Sequence, residues 1–316
     1  MFNLFTVIGD PHIVSKVLHL GRRLFDLVEF KGHPAIWLGD FLDTKEIIRG
    51  KCLNLIYDYF LSSKLEHIII IGNHDYFNLE CLDHSLKVLN SLPNVTIVDK
   101  RTELHGMHFI PYIHDLKVLK DELKQIPKDS VLFGHLEVQS FDFGNGHMCE
   151  AGLTTKSLNK FKRVISGHFH KYQQRGNLTY LGTPFSHSFG ESDQIKYIGV
   201  YDKSKDELAL EETNFPSHKT ITVDCDVNNS VNVDVKPDDH VRLILTGSQQ
   251  SIDKVKSSLS VSEDVRVLTR PTDTVLDMVI DENATNESQF QEWAKNVKQL
   301  DQETVDLGLQ ILGAVK

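Results

Sequence analysis

Along the first 170 residues, a short apolar run is closed five times by glycine and then by Asp, Asn or His. Leu4 to Ile8 ends in Gly9-Asp10-Pro11-His12, Ala35 to Leu38 in Gly39-Asp40-Phe41-Leu42-Asp43, and His67 to Ile71 in Gly72-Asn73-His74-Asp75. Val131-Leu132-Phe133 is followed by Gly134-His135, and Val164-Ile165-Ser166 by Gly167-His168-Phe169-His170. Apolar runs rich in β-branched residues predict strands buried on both faces, and α/β folds place their chemistry at the carboxyl ends of such strands. Val14, Val17, Leu18, Leu24, Leu27 and Val28, and then Cys52, Leu55, Ile56 and Phe60, lie at helical spacing and predict the intervening helices. The five ends are expected at one edge of a single sheet.

Around residues 95–113 and 171–213 the pattern changes to short alternating strands, among them Val95–Val98, His108–Ile110 and Tyr197–Tyr201. These predict a partly antiparallel second sheet packed on the first, with helices outside. The glycine stops end near Phe215-Pro216, so a boundary is expected there. Residues 1–216 form the main domain. Residues 217–270 form a small α/β capping domain, with strands at Lys219–Val223, Val241–Leu245 and Val265–Leu268 and a helix at Ile252–Leu259. Residues 271–316 form a linker and a C-terminal helical tail, where Phe290, Trp293, Ala294, Val297 and Leu300 make an apolar stripe and a second helix runs from about Gln302 to Leu312.

Composition narrows this little: 40% hydrophobic and 25% charged residues are ordinary for a globular protein. Cys52, Cys81, Cys149 and Cys225 form no CxxC pair, which argues for a reducing compartment and against a cysteine-based zinc site. No basic leader and no apolar run of membrane-spanning length is present, so a cytoplasmic location is expected. Of the net charge of −10, −7 falls after residue 216, where 10 Lys and Arg face 17 Asp and Glu. The nearly neutral first part therefore does not exclude a nucleic-acid substrate. No GxxxxGK[ST] loop is present, so the chain is not expected to hydrolyse ATP itself.

Carboxylates and imidazoles at five strand ends are the donor set of a two-metal cluster. Asp10, His12, Asp40, Asn73, His135, His168 and His170 are the candidate ligands, with Asp40 as the bridge. His74 is left over beside a ligand, a position that suits a general acid or transition-state stabiliser. Asp43 is a candidate to orient it, and Asp75 to cap a helix or support a neighbour. His67, His84, His105, His108, His114, His147, His187 and His218 read more simply as surface or satisfied core residues. Lys45, Arg49 and Lys51, after the second stop, and Lys171 and Arg175, after the fifth, can touch DNA phosphates; a solvated face explains them equally well.

The ordered set D-x-H, G-D-x-x-D, G-N-H-D, G-H and G-H-x-H resembles the calcineurin-like metallophosphoesterase superfamily over roughly residues 5–190. Tyr180-Leu181-Gly182-Thr183-Pro184 with Ser188-Phe189-Gly190-Glu191 further resembles the SbcD/Mre11 nucleases, and the whole chain resembles their short phage members. The resemblance implies an αββα metallophosphoesterase sandwich and two divalent ions, Mn²⁺ or else Mg²⁺. It implies one ion held by Asp10, His12, Asp40 and His170 and the other by Asp40, Asn73, His135 and His168, with His74 acting on the phosphate and leaving oxygen. It also implies 3′→5′ exonuclease and single-strand endonuclease action on DNA, as a homodimer in a heterotetramer with an SbcC/Rad50-type ATPase. Phe290, Trp293, Val297 and Leu300 would then dock that partner, although packing on the small domain is an equal reading. A small-molecule phosphodiesterase or protein phosphatase on the same fold is the alternative. A non-catalytic scaffold is disfavoured because no ligand position is lost.

Overall fold

The computed structural model describes residues 2–43, 47–78, 80–81, 83–144, 146–228, 230–231, 236, 238–259, 265–272, 290–291, 294 and 301–314. The chain divides into two compact units, Met1–Thr220 with Val235–Arg242, and Ile221–Asp234 with Leu243–Lys316.

The first unit holds two mixed six-stranded sheets. One contains β1 (Leu4–Ile8), β2 (Ala35–Trp37), β3 (His67–Ile70) and β4 (Val95–Val98), all parallel. Its far edge is closed by β11 (Tyr197–Asp202), antiparallel to β1, and by β12 (Glu207–Glu212). The other sheet runs β5 (Thr102–Leu104), β6 (Met107–Ile110), β7 (Val131–His135), β8 (Arg163–Gly167), β10 (Leu178–Tyr180) and β9 (Gln173–Arg175), with β6, β7, β8 and β10 parallel.

This corrects the expectation of one sheet edge. β1, β2 and β3 end at one sheet, whereas β7 and β8 end at the other. Val95–Val98 and Tyr197–Asp202 belong with the first sheet, because β4 pairs with β3 and β11 covers the free edge of β1. Local alternation reports a strand's exposure but not its pairing partner.

The period-2 rule explains the layers. Phe5, Val7, Ile36, Leu38, Ile68 and Ile70 face Phe109, Phe133 and Ile165 in a core between the sheets. The intervening Ile8, Trp37, Ile69 and Ile71 turn outward onto helices α1 (Leu18–Lys31) and α2 (Gly50–Ser62). On the second sheet, Leu132 and Val164 pack against α3 (Leu116–Gln125). The αββα sandwich is therefore the fold of this unit. Helix α3 has no counterpart in the sequence reading. It buries only Leu119 and Leu123, and its start is fixed by Asp115, whose carboxylate accepts from the backbone N–H groups of Lys117 and Val118.

A separate three-stranded sheet consists of β13 (His218–Asp224), β14 (His240–Gly247) and β15 (Val265–Pro271). Helix α4 (Gln249–Ser258), capped by Ser248, buries Ile252 and Val255 in a small core with Leu243 and Leu245. Helix α5 spans Gln302–Ala314. Among the described residues no helix is long and apolar enough to cross a membrane.

Candidate metal centre

Three of the five glycine stops have a steric cause in a neighbouring ligand. A Cβ on Gly39 would overlap the His135 ring, one on Gly72 would overlap the Asp40 carboxylate, and one on Gly167 would overlap that of Asp10. The strand ends approach so closely that only glycine leaves space for the neighbouring ligand. His12 (φ 41°), Asp40 (φ 48°) and His168 (φ 100°) all occupy the left-handed region, which costs each about 1–3 kcal/mol. Such strain persists where the surrounding bonds dictate it. Here both oxygens of Asp10 accept from the His168 backbone N–H, at 3.1 and 3.0 Å, tying the end of β8 to the end of β1.

Asp40 lies in the middle. Its Oδ1 accepts from the backbone N–H of His74 at 2.8 Å, while Oδ2 lies 3.6 Å from His12 Nε2 and 3.4 Å from His135 Nε2. On one side His170 Nε2 faces His12 Nε2 at 3.0 Å. On the other, Asn73 Oδ1 lies 2.9 Å from both His135 Nε2 and His168 Nδ1, which are 3.3 Å apart. His135 Nδ1 lies 2.8 Å from the Leu38 carbonyl; donating there would leave Nε2 to a cation that displaces its proton. The structure thus brings all seven predicted ligands together around Asp40, with the Asp10 carboxylate 3.4 Å from His135 Nδ1.

Burial raises the Asp10 carboxyl above its ordinary range, although His135 opposes this. For Asp40 burial acts in the same direction, but His135 and then His12 outweigh it and hold the carboxylate well below the usual range. His135 is pushed up to about 9: burial opposes the charge, and Asp40 and Asp10 outweigh it. His168 is pushed down to about 3 by burial, with His135 adding to the effect.

These residues fit divalent cations. Two pairs of imidazole nitrogens face each other at 3.0 and 3.3 Å beside buried carboxylates, so their deprotonated forms would converge on a cation there. Carboxylate and amide oxygens suit Mn²⁺ and Mg²⁺, while four imidazoles favour Mn²⁺ or Zn²⁺ over Mg²⁺. Asp10, Asp40 and His135 bring ligand atoms within 4.8 Å of one another, and so do His12, Asp43 and His74.

The second of these groups bears on His74 and Asp43. His74 Nδ1 lies 3.2 Å from the Asp43 carbonyl and 3.8 Å from its carboxylate, which is nearer to His12 Nδ1 at 3.3 Å. Asp43 therefore meets His74 chiefly through its backbone, and the His74 ring stays 35% exposed. Asp75 caps no helix: its carboxylate accepts from the N–H groups of Phe41, Leu42 and Gly72, joining the loops after β2 and β3.

Sequence reasoning missed the support behind His170. His170 Nδ1 pairs with Glu191 Oε1 at 2.9 Å, and Glu191 Oε2 accepts from the buried Lys196 ammonium at 2.7 Å. Lys196 also donates to Thr183 Oγ1 at 2.8 Å and to the His170 carbonyl at 3.1 Å. Glu191 closes the Tyr180–Glu191 segment, which is its only sequence signal; Lys196 carries none. His187, read as a bland histidine, has its ring 5.6 Å from that of His12, and burial pushes it down to about 3.

The remaining candidates are more dispersed. Lys171 is paired with Asp142 at 3.0 Å, and the Arg175 guanidinium lies over the Phe141 ring at 4.9 Å. Arg49 and Lys51 are exposed at the start of α2. Phe290 lies against α5 at Gly308. Lys45, Trp293, Val297 and Leu300 lie outside the described residues.

Residues 4–172 match the family model of the calcineurin-like phosphoesterases. The chain belongs to that family, whose metal-dependent phosphoester hydrolysis accords with this donor set. Exonuclease subunit 1 of Enterobacteria phage T4 is 27% identical over 263 residues, covering 78% of this chain and 75% of that protein. A putative phosphoesterase, 244L, of Invertebrate iridescent virus 6 is 24% identical over 280 residues, 79% of this chain and 96% of that one. Among solved structures, an archaeal phosphodiesterase aligns at 18% identity and a TM-score of 0.37, over 66% of this chain and 99% of its own.

Proposed function

We propose that the chain is the nuclease subunit of a recombination and repair complex, a two-metal phosphodiesterase that cuts DNA as a 3′→5′ exonuclease and single-strand endonuclease. The observation that carries the two-metal reading is Asp40, whose Oδ2 stands 3.6 Å from a nitrogen of one ligand set and 3.4 Å from a nitrogen of the other. Similarity to a phage exonuclease subunit over 263 residues, well past the family domain, favours DNA as substrate. The Tyr180–Glu191 segment supports the same reading, because its last residue holds His170.

Two divalent cations, Mn²⁺ in this proposal with Mg²⁺ as substitute, would supply Lewis acidity toward the phosphodiester. Asp10, His12, Asp40 and His170 would hold one, and Asp40, Asn73, His135 and His168 the other. The chain's own residues do the rest. The Leu38 carbonyl and Glu191 fix the ring orientations of His135 and His170. His74, turned by the Asp43 carbonyl, gives a proton to the departing 3′-oxygen as water attacks phosphorus and the P–O3′ bond breaks. The chain would work in the cytoplasm as a homodimer within a heterotetramer, with residues 271–316 docking an SbcC/Rad50-type ATPase.

The discriminating experiment compares end-labelled duplex and single-stranded DNA with bis-p-nitrophenyl phosphate and a phosphomonoester, in Mn²⁺ and in Mg²⁺. DNA cleavage with little monoester hydrolysis is expected. Rapid monoester hydrolysis with intact DNA would instead favour a phosphatase, the reading to which the viral phosphoesterase relative lends weight.

A further inference from the structure

Beside the second ligand set lies a cavity of about 220 Å³ that the chemistry above does not use. That is roughly seven times the ~30 Å³ share of one liquid water, so a flat heterocycle can enter it. Its wall includes the metal-ligand candidate His135, so an occupant would lie beside the proposed metal centre. Tyr112 forms an aromatic side. Its ring lies parallel to that of His168, at 6.2 Å between centroids and 19° between planes, and its backbone N–H is anchored to the Ile71 carbonyl at 2.8 Å. The Tyr112 hydroxyl is 3.2 Å from His114 Nδ1, which holds both rings at the cavity wall. Leu116 and Leu119 of α3 supply the apolar floor. A single carboxylate, Glu137, completes the lining.

We infer that this cavity is a nucleobase subsite, holding the base of the nucleotide that adjoins the scissile phosphate. The inference rests on the nuclease reading for its physiological ligand, but the chemistry of the cavity argues for it directly. Aromatic and aliphatic walls favour the faces of a π-ring, and base–aromatic stacking of this kind is tolerant of which base is held. A carboxylate repels a second phosphate and accepts hydrogen bonds from an exocyclic amine, as Glu and Asp do from cytosine N4. A bare sugar phosphate meets neither contact.

The test measures affinity rather than turnover. Calorimetric titration of the Mn²⁺-loaded chain with dCMP and with deoxyribose 5-phosphate should show dCMP binding at least about 10-fold more tightly, equivalent to 1.4 kcal/mol. Ala151 lies exposed at the rim of the cavity, so Ala151→Trp fills it without entering a packed core. In that variant dCMP should fall to the affinity of deoxyribose 5-phosphate, with the sugar phosphate itself moving less than about two-fold. In a parallel arm, a 3′-terminal abasic DNA should bind more weakly than the intact end to the parent chain, and equally to Ala151→Trp. Equal affinity for nucleotide and sugar phosphate in the parent chain, or a base preference that survives Ala151→Trp, would overturn the inference. A base preference in the presence of uncut DNA would sustain the subsite with free nucleotides as its ligands and remove only the nuclease reading.

Discussion

Asn73 and His74 are adjacent in sequence and turn to different tasks. Asn73 Oδ1 sits between two imidazole nitrogens, whereas His74 leans on the Asp43 carbonyl and remains 35% exposed. His74→Asn should therefore lower the rate of DNA cleavage by about 10²-fold or more while leaving Mn²⁺ stoichiometry intact. Near-normal turnover with Mn²⁺ bound would remove His74 from the mechanism. Glu191→Gln keeps the shape but weakens the grip on His170 Nδ1, and should lower Mn²⁺ affinity by about 10–100-fold, as read by Mn²⁺ titration. An unchanged binding curve would make Glu191 a structural bystander. At this scale the clustering of the candidate ligands was legible, because five apolar runs each closed by glycine and then Asp, Asn or His are hard to explain as turns alone. Lys196 was not, since its pairing with Glu191 bears on the site only because the fold carries both to His170, 26 residues before Lys196.

Each strand works together with its glycine. Gly72 lets Asp40 approach β3, so Gly72→Ala should displace the Asp40 carboxylate, reduce Mn²⁺ binding and lower stability by about 1–3 kcal/mol. A variant with full stability and full Mn²⁺ affinity would contradict that account. The start of β3 carries a different prediction. His67 is fully buried between Trp37 and Ser63, and burial pushes it down to about 3. Below its ordinary value near 6.5, the unfolded imidazole takes a proton that the folded one refuses. Stability therefore falls as pH drops from about 6.5 toward 3, by about 2 kcal/mol from this group between pH 7 and pH 5. Urea midpoints at the two pH values should show a smaller difference in His67→Gln than in the parent chain, and equal differences would refute the assignment. The sequence revealed the strands, but not which sheet β4 and β11 join, because pairing depends on contacts formed across the fold. It also passed over α3, whose short amphipathic run buries two side chains.

For the whole molecule, the paired sheets gather buried carboxylates whose charge bound cations would offset. Asp10, Asp40 and Asp75 are all essentially buried, and burial with Asp40 alongside pushes Asp75 up to about 7. Mn²⁺ at about 100 times its Kd should stabilise the folded state by about 2.7 kcal/mol per site, about 5 kcal/mol for two, and raise Tm by roughly 10–20 °C, with EDTA reversing the shift. A Tm indifferent to both would mean that the centre is not a metal site. Truncation near Asn283 should spare Mn²⁺-dependent nuclease activity and abolish capture of the proposed SbcC/Rad50-type ATPase; equal capture by both forms would remove the docking hypothesis. The two ligand sets and their shared carboxylate remain the central claim. Electron paramagnetic resonance of the Mn²⁺-titrated chain tests it most directly. Two Mn²⁺ per chain with an exchange-coupled spectrum is the expected result, and a single isolated Mn²⁺ at saturation would contradict it.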